Sequence, residues 1–204
     1  MKSALIWILA AILGAILGGL SALFMAGLLP VGPKLGGTVE IDGWTSDWSI
    51  GSESANPYVR ARVARHGLLA LRKEEAVYFT KRTDDEGERL REDCVYRVEG
   101  GAFPAEWWSI TLYDAGSRLP INEDGALSFD LTSASSWIDQ SSQDWTFFVS
   151  NYRLNEHVPW VSSRNAGQFD LMMRLYRPSA AVLNAPDTTL IPPTISRLSC
   201  DEEA

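Results

Sequence analysis

Hydrophobic positions follow three successive patterns along this chain. From Ala4 to Leu29 they form a run of 26 residues without a charge. Between Tyr58 and Leu71 they recur at helical spacing, with Ala61, Ala64, Leu68 and Leu71 on one face. Asn56 followed by Pro57 marks the start of that helix, as a capping residue and then a proline at the first helical position. From Ala76 onward the period falls to two. Strands are predicted at Ala76–Thr80 and Cys94–Val98, joined by the acidic turn Asp84-Asp85-Glu86-Gly87, and then at 107–113, 127–131, 145–150 and 169–176. Short strands with one apolar face predict a mainly β domain: an antiparallel β-sandwich or barrel with one N-terminal α-helix packed on it. Ser179–Leu183 adds a helical turn, and Ile191-Pro192-Pro193 closes the chain in extended form.

The first pattern predicts a single transmembrane helix, because about 20 apolar residues already cross a bilayer core. A cleaved signal peptide is the competing reading, with Gly19-Leu20-Ser21 its only passable cleavage triplet. The apolar stretch is longer than such peptides carry, which favours an uncleaved anchor. The expected organisation is an anchor over 1–29, a Pro/Gly-rich linker over 30–42 and an exported domain over 43–204. Within that domain the segment Gly43–Trp48 reads as irregular and aromatic. Lys2 precedes the helix, and only Lys34 follows closely before Glu40, Asp42 and Asp47. The positive-inside rule then places the amino terminus in the cytoplasm and the domain outside, on a bacterial inner membrane. Ala10, Gly14, Gly18, Ala22 and Ala26 recur every four residues, so the Gly14/Gly18 face would let a second helix, including that of another copy, approach closely.

Charge narrows the partners. The chain carries 18 Lys and Arg against 26 Asp and Glu. Such an acidic domain repels nucleic acid, and no basic cluster beside the helix serves anionic lipid. Cys94 and Cys200 are the only cysteines, so one intramolecular pairing is available. In an exported domain they form a disulfide; two free thiols are the alternative. Two thiols without a neighbouring His do not make a metal site.

Three segments carry a resemblance. Pro57–Ala64 leading into Glu75–Phe79, Trp107–Asp114, and Phe169–Pro178 together resemble the bacterial family of domain of unknown function number 1214. The resemblance spans most of the chain from about Gly43 to Cys200 and implies a sandwich of jelly-roll-like character. Short-form members resemble this chain in having an N-terminal membrane helix and a terminal cysteine, and longer relatives carry an upstream domain of the family numbered 1254. The family implies no reaction and no cofactor. One segment departs from its pattern: Leu119–Asp124 lacks the usual Asn-Pro and Arg-Tyr-Ser order.

Candidate chemistry is sparse. His66 and His157 are the only histidines, and no Gly-x-Ser-x-Gly, His-Glu-x-x-His or Ser-x-x-Lys motif occurs, so no catalytic residue is assigned. Asp84/Asp85 and Glu123/Asp124 read as solvated turn carboxylates without calcium-loop spacing. Arg60, Arg62 and Arg65 read as a solvated helix face. The aromatics are more informative, since seven of eight tryptophans lie outside the anchor. If Trp108, Ile110 and Leu112 face the core, then Trp107, Ser109, Thr111 and Tyr113 lie opposite. The other face of 169–176 offers Asp170, Met172, Arg174 and Tyr176. Were these strands neighbours, Trp107, Ser109, Thr111, Tyr113, Arg174 and Tyr176 would form one aromatic and polar face suited to a protein partner or a sugar ring. Two readings follow. One is a non-enzymatic, membrane-anchored interaction module for an envelope protein, such as one carrying a 1254-type domain. The other is an envelope protein that binds or hydrolyses cell-wall or exopolysaccharide sugars.

Overall fold

A computed structural model of the chain describes residues 2–26, 37–48, 50, 57–65, 71–137 and 143–200. It divides into two compact units, Met1–Gly37 with Ser49–Ala70, and Thr38–Trp48 with Leu71–Ala204.

The first unit contains helix α1 (Lys2–Met25) and helix α2 (Pro57–Arg65). The 24 residues of α1 rise about 36 Å, enough to cross a hydrocarbon core. By length and composition α1 is long and apolar enough to cross a membrane, as a signal sequence also is. Pro57 opens α2 as expected, where its missing N–H breaks no helical bond. The linker residues 30–36, Asn56 and the helix continuation through His66 and Leu68 lie outside the described residues, as do the side chains of Arg62 and Arg65.

The second unit is a two-sheet β-sandwich. Strands β1 (Thr38–Ile41), β2 (Trp44–Asp47), β3 (Ala76–Lys81), β5 (Ala105–Asp114), β6 (Ser128–Asp130) and β9 (Phe169–Pro178) form the larger sheet, in the order β1-β2-β3-β9-β5-β6. The smaller sheet has the order β10-β4-β7-β8, from β4 (Cys94–Gly100), β7 (Trp145–Ser150), β8 (Trp160–Ser162) and β10 (Thr194–Cys200). Short helices α3 (Leu131–Ala134), α4 (Ala180–Asn184) and α5 (Pro186–Thr189) punctuate the connections. Among the described residues every strand pairing is antiparallel except β7 with β8, which run parallel.

The alternation seen in the sequence sets the core. Trp108, Ile110 and Leu112 from β5 meet Phe169, Leu171, Met173 and Leu175 from β9, all buried. Tyr96 and Val98 of β4 and Trp145, Phe147 and Val149 of β7 close on them from the other sheet. Rings bridge the two layers: Tyr96 lies edge-on to Phe169 at 5.8 Å, and Trp108 stacks on Trp145 at 4.8 Å.

Several elements depart from the sequence reading. Thr38–Ile41, expected within a linker, and Trp44–Asp47, expected to be irregular, pair as a hairpin through the two-residue turn Asp42-Gly43. Both turn residues have positive φ, 48° and 79°, the geometry that Asp-Gly favours in a tight hairpin. Trp44 is fully buried and its indole N–H donates to the Pro193 carbonyl at 2.9 Å. Strands β3 and β4 flank the acidic turn as expected, yet they enter different sheets. The intervening chain crosses from one layer to the other. The strand expected over 127–131 is shorter, because Asp130 caps α3 by accepting from the Ser133 N–H at 2.7 Å. Strand β8 was not anticipated.

The turn carboxylates correct the sequence reading in part: Asp85 and Glu123 are exposed, as expected, whereas Asp84 and Asp124 are not. Asp84 is buried, not solvated: its Oδ1 accepts from the Glu86 and Glu88 N–H groups at 3.1 and 2.9 Å, and its Oδ2 lies 3.4 Å from Arg197 Nε. Asp85 pairs with buried Lys81 and accepts from the Ile195 N–H at 2.7 Å. Lys81 in turn donates to the Asp42 carbonyl at 2.9 Å. These charges clasp the β1–β2 turn and the crossing loop to β10. Asp124 is likewise tied, accepting from Ser162 Oγ at 2.6 Å and facing Arg164 at 3.4 Å. His157 is an exposed loop residue, as read from the sequence.

Cys94 and Cys200 form a disulfide, directly opposite each other on β4 and β10. The bond fastens the edge strand of the smaller sheet.

Candidate functional site: the outer face of the larger sheet

Strands β5 and β9 are direct neighbours, and their register assembles the expected face. Trp107 lies opposite Tyr176, Ser109 opposite Arg174, Thr111 opposite Met172 and Tyr113 opposite Asp170. Because side chains alternate across a strand, all eight share the face away from the core. The register with β3 adds Tyr78 opposite Arg174 and Thr80 opposite Met172. Tyr78 was not among the residues expected here. Its place in the period-two run Ala76–Thr80 carried the signal, but the neighbouring strand did not follow from sequence order.

Three contacts organise the face. The rings of Trp107 and Tyr176 sit 5.2 Å apart, inclined by 60°. The Trp107 indole N–H donates to Thr132 Oγ1 at 3.3 Å, which fixes the ring against α3. Arg174 reaches along the sheet, donating from Nη2 to the Tyr113 hydroxyl and from Nη1 to Thr111 Oγ1 at 3.5 Å. Its guanidinium carbon is 5.4 Å from the Tyr113 ring centre, a cation–π distance.

Burial divides the six expected residues. Ser109 and Thr111 are only 6% and 7% exposed, so they support the face from beneath and do not themselves meet a partner. Trp107, Tyr113, Arg174 and Tyr176 are half-buried and supply the accessible part.

Arg174, Asp170 and the tyrosine hydroxyls set the electrostatics of the face. Burial raises the Tyr78 hydroxyl above its ordinary pKa, with neighbouring Tyr176 adding to the effect and Arg174 opposing it. Tyr78 therefore stays a neutral donor. Burial also raises the Asp170 carboxyl, against the opposing pull of Arg82, whose Nε is 3.5 Å away. None of the six expected residues pairs a nucleophile with a base. The arrangement offers flat rings, one guanidinium and hydroxyl groups, which is recognition chemistry.

The sequence profile of the family described as "Protein of unknown function (DUF1214)" matches residues 75–180, just over half of the 204-residue chain. The chain belongs to the DUF1214 family. The DUF1214 match runs from β3 into α4, so it includes all six residues of the face and Cys94 but stops short of Cys200. Among solved structures, the VPA0106 protein from Vibrio parahaemolyticus is similar, with a TM-score of 0.57 at 20% identity. That likeness covers 72% of this chain and 36% of the Vibrio chain, and it is a likeness of fold. An uncharacterized protein from Burkholderia cenocepacia gives a TM-score of 0.45 at 11% identity, covering 60% of this chain and 29% of that one. No protein of curated function is a significant match.

Proposed function

We propose that this DUF1214 protein is a membrane-tethered envelope protein that binds another protein through the outer face of its larger sheet. The observation that carries this reading is the Trp107–Tyr176 ring pair beside Arg174. Trp, Tyr and Arg are the residue types that dominate the energy of protein interfaces, and here they are held in register on rigid strands. The tether is α1, with the amino terminus in the cytoplasm and the sandwich on the periplasmic side of the bacterial inner membrane. Lys2 ahead of an uncharged helix supports that orientation, and the Cys94–Cys200 disulfide suits an oxidising compartment. The partner is an envelope protein, with a 1254-type domain the first candidate, and Gly14 and Gly18 offer a route to self-association within the membrane.

Site-specific photocross-linking in cells tests this reading. A photoreactive residue replaces Tyr176 in the full-length chain, with exposed Tyr152 replaced as the control. A single envelope protein captured from position 176 and not from 152 is the expected result. Recovery of the uncross-linked chain from both positions would overturn it and turn attention to envelope sugars.

A further inference from the structure

One end of the sandwich holds a cavity of about 360 Å³, on the opposite side of the larger sheet from the face just described. Its walls come from the exit of β4 (Gly101, Ala102, Phe103), the start of β5 (Ala105, Trp108), helix α3 with its cap (Leu131, Ser135) and the entry to β7 (Gln143, Trp145). We propose that this cavity is a binding site for an uncharged, planar ring compound that carries a hydrogen-bond donor such as a hydroxyl group.

Three observations define that class. The first is size. An apolar cavity of about 150 Å³ is enough for benzene, and ligand sites begin near 300 Å³, so this one takes about two fused rings. The second is the nature of the walls. Phe103 stands edge-on to Trp108 at 5.2 Å, and Trp108 stacks on Trp145 at 4.8 Å, so the cavity opens beside a preformed ring cluster. Flat rings pack edge or face against such walls, whereas a flexible chain loses conformational freedom to do so. The described lining residues carry no charge, so they offer an ionised ligand group no ion-pair partner.

The third observation concerns the polar groups. The Trp145 indole N–H is already committed to the Gly101 carbonyl at 2.8 Å. Ser135 Oγ donates to the Thr132 carbonyl at 2.6 Å, which leaves its lone pairs as acceptors. An incoming donor therefore finds an acceptor at Ser135. Gln143, which also lines the cavity, holds a positive φ of 57°, an uncommon conformation for its type. The backbone tolerates the crowded ring cluster because Gly100 has no Cβ: one placed there would lie 2.4 Å from the Trp145 ring.

The test uses the full-length chain in detergent micelles with ¹⁵N-labelled indoles and 2-naphthol as probe. The expected result is a saturable shift of the Trp108 and Trp145 indole signals, while those of Trp107 and Trp160 stay in place. Ala105→Leu, which adds bulk at a lining position, is expected to weaken binding at least tenfold. Ser135→Ala is expected to weaken 2-naphthol several-fold and leave unsubstituted naphthalene unchanged. Equal shifts of all four indoles would reveal partition into the micelle and overturn the site. Tighter saturation by 1-decanol than by 2-naphthol would overturn the ring assignment in favour of an acyl chain. The comparison of the four indoles within the unmodified protein decides the matter even if Ala105→Leu fails to fold.

Discussion

Trp107 and Tyr176 face each other across the β5–β9 pair with their ring centres 5.2 Å apart, although 69 positions separate them in the chain. Such ring pairs contribute about 1 kcal/mol beyond the area they bury. Trp107→Ala and Tyr176→Ala are each expected to lower stability modestly, and Trp107→Ala to abolish partner capture from position 176. A double-mutant cycle on the full-length chain should give a coupling of roughly 0.5–1.5 kcal/mol. A coupling of zero would mean that the rings are neighbours without interacting.

The disulfide closes a long loop, since Cys94 and Cys200 are 106 positions apart. On the chain-entropy model this restricts the unfolded chain and stabilises the domain by about 4–5 kcal/mol. The double variant Cys94→Ser/Cys200→Ser should therefore unfold at much lower denaturant, by an amount that matches reduction of the native protein. Because the pair holds β10, hydrogen exchange should rise first at Thr194–Cys200, and uniform loss of protection would contradict this.

Gly100 is fixed by Trp145. A Cβ at position 100 would lie 2.4 Å from Trp145 Cζ2, and the ring packs on Phe103, Trp108, Phe129 and Phe147, so it must leave those contacts to make room. Gly100→Ala is expected to cost about 1–3 kcal/mol, the range for overpacking. Near-ultraviolet circular dichroism should change with it, since the stacked indoles must shift. An unchanged spectrum and midpoint would show that the cluster has slack.

Asp170 should leave a signature in the pH dependence of stability. Burial raises its carboxyl above the ordinary value of 3.8, and Arg82, 68% exposed and thus screened, only partly offsets this. Between the unfolded and the raised native pKa, the folded protein keeps a proton that the unfolded chain releases. This group's contribution to stability is therefore full below the unfolded pKa and falls as pH rises through that window. Asp170→Asn removes the ionisation. The unfolding free energy of the native protein relative to this variant should decline from about pH 4 upward. A rise over the same range would show that the Arg82 pair outweighs burial.

Much of the candidate face was legible in the sequence. Alternation told which residues of 107–113 and 169–176 point away from the core, because the side-chain period of a strand is two whatever its neighbours are. Pairing was not legible in this way. Tyr78 belongs to the same face only because β3 lies against the far edge of β9, and strand adjacency across about a hundred residues is set by how the core closes. Burial was not legible either: Ser109 and Thr111 alternate like surface residues, yet longer side chains on the neighbouring strands flank them, and Arg174 reaches Thr111.

By itself the sequence determined the quantities that depend on local chemistry. These are the length of an apolar helix, the period of the strands, the acidic balance, and the fact that two cysteines permit one pairing. It also contained the Asp42-Gly43 hairpin signal, whose strands are fixed in the fold by the anchoring of Trp44 on Pro193. Tertiary structure decided everything that depends on distance through space. It sent β3 and β4 into separate sheets, turned Asp84 from a turn residue into a buried clasp with Arg197, and opened a cavity beside Trp108 and Trp145. The physical reason is common to all three. Period and charge are written residue by residue, whereas partner, burial and void arise from packing between segments far apart in the chain.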